Sequence, residues 1–207
     1  MADLKGIAEN LIAGNQDKVR ELVQGAIDEG LEPQKILDEG LIPGMEVVGV
    51  RFKNAEIYVP EVLVAARAMH AGMDILEPLL AKSGVASKGV FVVGTVKGDL
   101  HDIGKNLVAM MMKGAGWKVV DLGVDVDADK FVQAAIDENA DAIGLSALLT
   151  TTMENMGKVV ELAKNKDCKA KIVVGGAPLT QSYADKIGAD GYAPDAATAV
   201  EVMTSYV

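Results

Sequence analysis

Val90-Phe91-Val92-Val93-Gly94, followed after four residues by Asp99-Leu100-His101-Asp102-Ile103-Gly104, is the stretch that decides how this chain folds. A short β-branched and aromatic run bounded by turn residues reads as a strand buried on both faces, and the segment from Gly98 to Gly104 reads as a strand-to-helix turn. The same rhythm returns at Lys118-Val119-Val120-Asp121-Leu122, at Ala142-Ile143-Gly144-Leu145-Ser146, at Lys171-Ile172-Val173-Val174-Gly175 and around Gly191-Tyr192. Apolar residues at helical spacing predict helices over about 103–113, 128–138, 152–164 and 196–203. Strands alternating with helices predict a doubly wound, Rossmann-like α/β domain: a five-stranded parallel sheet of flavodoxin-type order. Ligands of such sheets bind outside the carboxyl ends of the strands at the topological switch point, which directs attention to the turns after the first, third and fourth strands.

Upstream the period changes. Leu4, Ile7, Ala8, Leu11 and Ile12 form one helical stripe, and Val19, Leu22, Val23, Ala26 and Ile27 form the next, with Asp17 as its expected cap and Gly30 as its end. Pro33 opens a third helix, which Pro43-Gly44 is expected to break or kink before Met45, Val47 and Val48 resume the apolar face. Pro60 opens a fourth, with Val62, Leu63, Ala66, Met69, Met73 and Leu76 on or near one side. Short connections between four helices predict an antiparallel all-α four-helix bundle. Small and polar residues from Ala81 to Lys88 read as a linker. The expected division is a helical unit over 1–82, a linker over 83–88 and the α/β domain over 89–207.

Composition narrows the chemistry. A formal net charge of −10 and a pI near 4.7 argue against a nucleic-acid backbone or an anionic membrane as the main partner, since both require basic patches. One cysteine, Cys168, excludes an internal disulfide, and one thiol with two imidazoles cannot build a tetrahedral zinc site of the usual Cys/His type. The first residues carry no basic segment followed by an apolar one, and no apolar run approaches about eighteen residues, so a cytoplasmic location is expected.

Three turns carry candidate site residues. Gly98-Asp99-Leu100-His101-Asp102-Ile103-Gly104 has the spacing Asp-x-His-x-x-Gly. An imidazole can bind a metal through one nitrogen while a carboxylate such as Asp99 holds the other. Equally, Asp99 or Asp102 could cap the next helix while His101 faces solvent. Nucleotide motifs fail on spacing: no Gly-x-Gly-x-x-Gly follows the first strand, and Gly98 to Gly104-Lys105-Asn106 has one residue too many and Asn where a phosphate loop needs Ser or Thr. After the third strand, Ser146-Ala147-Leu148-Leu149-Thr150-Thr151-Thr152 offers hydroxyls that could serve only as helix caps. After the fourth, Gly175-Gly176-Ala177 is either a tight turn or a place where a bulky ligand approaches the backbone. His70 and Cys168 read as ordinary surface or packing residues, and the acidic run from Asp121 to Asp129 as a mainly solvated loop.

Taken together, Asp99-x-His101-x-x-Gly104, Ser146-x-Leu148 and Gly175-Gly176 resemble the fingerprint of the cobalamin-binding domain of methionine synthase and of the corrinoid proteins of methyltransferase systems. The helical half, with Glu56-Ile57-Tyr58-Val59-Pro60-Glu61-Val62, resembles their cap. The resemblance implies a cobalamin cofactor, as methylcobalamin, cob(I)alamin or a related corrinoid, with His101 as the lower cobalt ligand. It implies a chain Asp99–His101–Ser146 that tunes the ligand and a cofactor contact from Gly98 through Gly104. Ser146, Leu148, Leu149, Thr150 and Thr151 with Gly175, Gly176 and Ala177 would line the pocket of the nucleotide tail, which Tyr192, Ala193 and Asp195 would close. From the cap, Tyr58, Val62, Met69 and Met73 would cover the corrin.

The function so implied is that of a stand-alone methyl carrier, not catalytic by itself. A substrate-specific methyltransferase loads the cobalt, a second methyltransferase unloads it to a folate or thiol acceptor, and a reductive-activation protein is a further expected partner. The cobalamin subunit of an adenosylcobalamin mutase and a cobalamin-dependent sensor share the binding motif and are the competing readings. The four-helix cap argues against the mutase, and the acidic chain has no room for a separate DNA-binding module.

Overall fold

The computed structural model describes residues 2–83 and 87–207. Gly84-Val85-Ala86, the middle of the expected linker, lie outside the described residues. The chain forms two compact units, the first running through the N-terminal helices and taking in residues 114–116, the second comprising residues 87–113 and 117–207.

The first unit consists of helices α1 (Leu4–Ile12), α2 (Gln16–Asp28), α3 (Pro33–Ile36), α4 (Ile42–Lys53) and α5 (Val59–Ser83), with a π-helical turn (Leu37–Leu41) joining α3 to α4. Asp3 begins α1 by accepting the Gly6 amide at 2.8 Å. Asp17 lies within the first turn of α2, where its charge still suits the helix dipole, and Asn15 occupies the position before it. Gly30, at φ 84°, follows the end of α2 as expected. Pro43 does not interrupt its helix. It lacks an amide proton and its ring would meet the Glu39 carbonyl in a regular α-helix, and the wider π turn just before it opens the ladder at that point. The expected break is therefore a widened turn, after which Met45 and Val48 are buried but Val47 is exposed. Pro60 sits in the first turn of α5, where no intrahelical donor is required of it.

The second unit runs β1 (Val90–Thr95), α6 (Ile103–Gly114), β2 (Lys118–Asp121), α7 (Ala128–Asp137), β3 (Ala142–Ser146), α8 (Glu154–Asn165), β4 (Lys171–Gly175), α9 (Gln181–Ile187), β5 (Gly191–Ala193) and α10 (Ala196–Thr204). Its five strands are all parallel in the order β2-β1-β3-β4-β5. The chain therefore steps outward from β1 in opposite directions, and the switch point lies between β1 and β3. Register aligns Thr95 with Ser146, Ser146 with Gly175 and Gly175 with Ala193, so the turns after β1, β3 and β4 start from one edge. Val92, Phe131, Ile143, Met156 and Val174 form the centre of the core between the sheet and its helices. Helix α9 was not expected from periodicity, because two turns are too short to establish a stripe. Its punctuation was nevertheless present: Thr180 accepts the Tyr183 amide at its start, and Gly188 at φ 71° ends it.

Candidate functional site

Gly98, at φ 83°, turns the chain after β1 so that Asp99 enters the protein and His101 remains at the surface. Asp99 is 0% exposed, whereas the His101 side chain is 52% exposed. Asp99 Oδ1 lies 2.7 Å from His101 Nδ1 and also accepts the His101 amide at 3.1 Å. Its Oδ2 accepts the amides of Leu148 at 2.8 Å and Leu149 at 3.2 Å and the Thr152 hydroxyl at 2.7 Å. Burial pushes the Asp99 pKa upward, but the bonds from Thr152, Leu148 and His101 outweigh it and hold the carboxyl well below the usual range. Asp99 is thus a carboxylate that only accepts, so the proton of this contact resides on His101 Nδ1 and Nε2 is the ring nitrogen left without a bond to the carboxylate.

Ser146 is not among the described partners of Asp99; Thr152 occupies that place. The described bonds of Asp99 thus differ from the expected chain Asp99–His101–Ser146 at its third member. The reason is geometric: Ser146 is still within β3, paired with Thr95 and Gly175, while the turn beyond it carries the Thr152 hydroxyl back to the carboxylate. Thr152 also donates to the Leu149 carbonyl at 2.9 Å, and α8 begins two residues later than its hydroxyl suggested. An alternating Ser/Thr run does not reveal which hydroxyl turns inward; the buried one is Thr152, at 7% exposure. Replacing Thr152 by valine preserves the shape and removes a charge-assisted bond, so a loss of about 1.5–3 kcal/mol in unfolding free energy is expected from denaturant titration.

Around the imidazole the surface is apolar. Leu100 and Ile103 are 71% and 78% exposed, and Leu148 and Leu149 are exposed beside the Asp99 bonds. Gly104 has nothing within 4 Å of where a Cβ would stand, so the fold itself does not require glycine there. Gly176 is the opposite case: its φ is 134° and a Cβ would stand 1.9 Å from the Ala147 carbonyl oxygen, so glycine lets the β4 turn close against the β3 turn. Thr150, Thr151 and Ala177 are exposed on these turns. Asp102 precedes α6 and accepts the Asn106 side-chain amide at 3.0 Å, which assigns it to the helix.

Other expected site residues commit their polar atoms elsewhere. Both oxygens of Asp195 bond Thr198, through its amide at 2.8 Å and its hydroxyl at 2.9 Å, and so cap α10. The Tyr192 hydroxyl donates to the Leu179 carbonyl at 3.1 Å, and Ala193 is buried. In the helical unit Tyr58 is 66% exposed, but Val62 and Met69 are buried on α5, which packs on α2, α4 and α1. Their stripe packs within the helical unit of the cofactor-free chain. Sequence reading passed over Lys105, whose buried ammonium meets Asp121 at 2.5 Å, because a lysine in an exposed-looking helix start gives no sign of burial.

The described residues include no cluster of three or more side chains able to hold a metal ion. What the second unit offers is one buttressed imidazole at the switch point of a doubly wound sheet, in an apolar surround; such a site suits a metal that arrives with its other ligands already in place. Comparison with known proteins gives that class its family. Residues 89–201 match a B12 binding domain model, and residues 4–77 match a second model of the same description. The chain is 46% identical to a corrinoid protein of Desulfitobacterium hafniense (strain Y51) over 207 residues, covering 98% of this chain and 96% of the relative. It is 46% identical to the dimethylamine corrinoid protein of Methanosarcina barkeri over 200 residues, covering 95% and 93%. Among solved structures it superposes on a chain of the methanol:cobalamin methyltransferase complex of Methanosarcina barkeri with a TM-score of 0.86, at 32% identity, covering 98% of this chain and 78% of that one. A cobalamin-binding protein from Desulfitobacterium hafniense DCB-2 matches over the whole of both chains with a TM-score of 0.83 and 28% identity. The chain belongs to the corrinoid proteins of methyltransferase systems, and its cofactor is cobalamin or a related corrinoid.

The residues fit that group. A corrinoid brings most of its cobalt's ligands with it and would need one nitrogen from the protein, which His101, half exposed and held by Asp99, could supply. Leu100, Ile103, Leu148 and Leu149 are exposed apolar side chains on these turns, and a Cβ at Gly104 would stand in open space, so an apolar macrocycle would have room there. No helix among the described residues is long and apolar enough to cross a membrane.

Proposed function

We propose that the chain carries a methyl group between two methyltransferases, one specific for a methylamine donor and a second that passes the group to a folate or thiol acceptor, with a reductive-activation protein as a further partner. The observation that carries this reading is the His101–Asp99 pair, buried at the carboxylate and open at the imidazole. The corrinoid supplies a cobalt that takes up and releases a methyl group and whose lower position accepts a protein nitrogen. His101 offers Nε2 to that position. Asp99 holds the Nδ1 proton, fixing the tautomer and raising the basicity of the other nitrogen. The amides of Leu148 and Leu149 and the Thr152 hydroxyl keep Asp99 ionised, so the strength of the histidine ligand is set from inside the β3–α8 turn. One pKa unit of change at the imidazole corresponds to about 1.4 kcal/mol between its protonation states, enough to bias ligand attachment tenfold.

Leu100, Ile103, Leu148 and Leu149 form the seat of the macrocycle and exclude water from the imidazole face. Ser146, Thr150 and Thr151, with Gly175-Gly176-Ala177, line the pocket of the nucleotide tail. The donor class rests on the named relatives: the dimethylamine corrinoid protein of Methanosarcina barkeri is 46% identical over nearly the whole chain, against 32% for the chain of the methanol complex.

The test is reconstitution with hydroxocobalamin, reduction, and exposure in parallel to dimethylamine with a dimethylamine methyltransferase and to methanol with a methanol methyltransferase, following the cobalt absorption spectrum. A spectral change with the amine system and none with methanol is expected; silence in both arms would sink the carrier reading. Gly104→Leu is expected to unfold near the temperature of the parent and to bind cobalamin at least about tenfold more weakly, since a Cβ there has no protein atom within 4 Å and the side chain beyond it would enter the seat. Calorimetry with cobalamin, beside a thermal melt, checks both halves.

A further inference from the structure

We infer that Asp125, in the loop between β2 and α7, is a positioning residue for the His101–Asp99 pair: it clamps the Gly98–Asp99 turn from outside and so fixes where the imidazole stands. The clamp has two arms. Asp125 Oδ1 accepts the Gly98 amide at 2.8 Å, and the Asp125 amide donates to the Asp99 carbonyl at 3.0 Å. Together they hold the backbone on both sides of the Gly98–Asp99 peptide, the segment whose direction sends the Asp99 carboxylate inward.

A clamp works only if its own base is fixed, and here it is. The amide of Leu122 donates to the Val93 carbonyl at 2.8 Å, Thr95 donates to Gly123 at 2.9 Å, and Val126 donates to Thr95 at 3.0 Å, so the loop is tied to β1 on both sides of Asp125. Between these ties Asp125 adopts φ 54°, a left-handed conformation that Asp, Asn and Gly tolerate best. The loop thus holds Asp125 in a disfavoured backbone state that aims both its amide and its carboxylate at one turn. Lys97, in that turn, lies 3.6 Å from Asp125 and 3.2 Å from Asp127, adding a screened attraction of the same sense. What sequence alone presents as a solvated acidic run therefore includes one residue whose partners are those of the ligand turn.

This inference rests on the reading of His101 as the cobalt ligand, and the experiment separates the two. Asp125→Asn keeps an oxygen acceptor and tolerates the left-handed backbone, whereas Asp125→Gly keeps the backbone and removes the acceptor. In the cofactor-free protein, amide exchange at Gly98 is expected to rise about tenfold or more in Asp125→Gly and to stay within about twofold of the parent in Asp125→Asn, the difference being one bond to a charged acceptor. After reconstitution with cobinamide, which brings no benzimidazole base of its own, and one-electron reduction, the fraction of cobalt showing nitrogen coupling in the EPR spectrum is expected to fall in Asp125→Gly and to be retained in Asp125→Asn. Unchanged Gly98 exchange in Asp125→Gly overturns the clamp, and so does a rise at Gly98 matched at Ile143 in the sheet core, which would mean general loosening. Accelerated Gly98 exchange with an undiminished nitrogen-coupled fraction overturns the positioning role. Absence of nitrogen coupling in the unaltered protein would instead overturn the ligand reading, leaving the exchange result to stand by itself.

Discussion

Substituting alanine for His101 is expected to abolish the histidine-ligated spectrum of the protein reconstituted with cobinamide, a corrinoid that brings no benzimidazole base of its own, while leaving the fold in place and part of the corrinoid bound. The two halves of this result have separate causes. His101 is half exposed at its side chain and contributes one side-chain bond to Asp99, whose Oδ1 keeps the amide of residue 101 and whose Oδ2 keeps three donors. The stability cost is therefore one hydrogen bond at a partly solvated group, about 1 kcal/mol. The spectroscopic cost is larger, because His101 is the histidine that the switch-point turns supply and cobinamide brings no nitrogen base to replace it. EPR of the reduced, reconstituted variant should lack the nitrogen splitting that the parent shows, and its melting curve should nearly overlay the parent's. An unchanged spectrum in the variant would end the assignment of His101 as ligand.

How much of this was legible beforehand depends on what each feature asks of the chain. The alternation of strands and helices from Val90 onward and the order of the sheet follow from buried β-branched runs and from crossover handedness, which local sequence carries in full. The pairing of Asp99 with His101 was likewise legible, since two residues at that spacing on one turn have little freedom. Thr152 was not, because it meets Asp99 across 53 residues and only the path of the β3–α8 turn decides whether it or Ser146 arrives. Val62 and Met69 show the opposite limit: a stripe at helical period states that one face is buried but not whether a protein core or a ligand buries it. The π turn before Pro43 illustrates a third limit. A proline announces that the regular ladder must yield, and neighbouring packing selects between a break, a kink and a widened turn.

Asp99→Ala is expected to cost more stability than any other substitution at the site, about 3–5 kcal/mol in the cofactor-free protein, because it strands donors from two turns at once. The amides of Leu148 and Leu149, the Thr152 hydroxyl, and the backbone amide and Nδ1 of His101 lose a buried carboxylate, and water cannot reach the inner ones without opening the β3–α8 turn. The same account fixes a pH dependence and its sign. The folded-state pKa of Asp99 lies below its unfolded value of about 3.9, so the carboxylate stabilises the protein fully above that pH. As pH falls below it the unfolded state takes up a proton that the folded state refuses, and stability drops by up to about 1.4 kcal/mol per pH unit from this one group. Denaturant titrations of parent and Asp99→Ala should therefore be separated by a constant gap from pH 7 down to about 5, and the gap should begin to narrow as the pH is lowered through about 4 toward 3. Parallel curves through that window would show that Asp99 is not the depressed carboxylate its five donors make it, and the ionised state on which the tautomer of His101 depends would have to be abandoned with it.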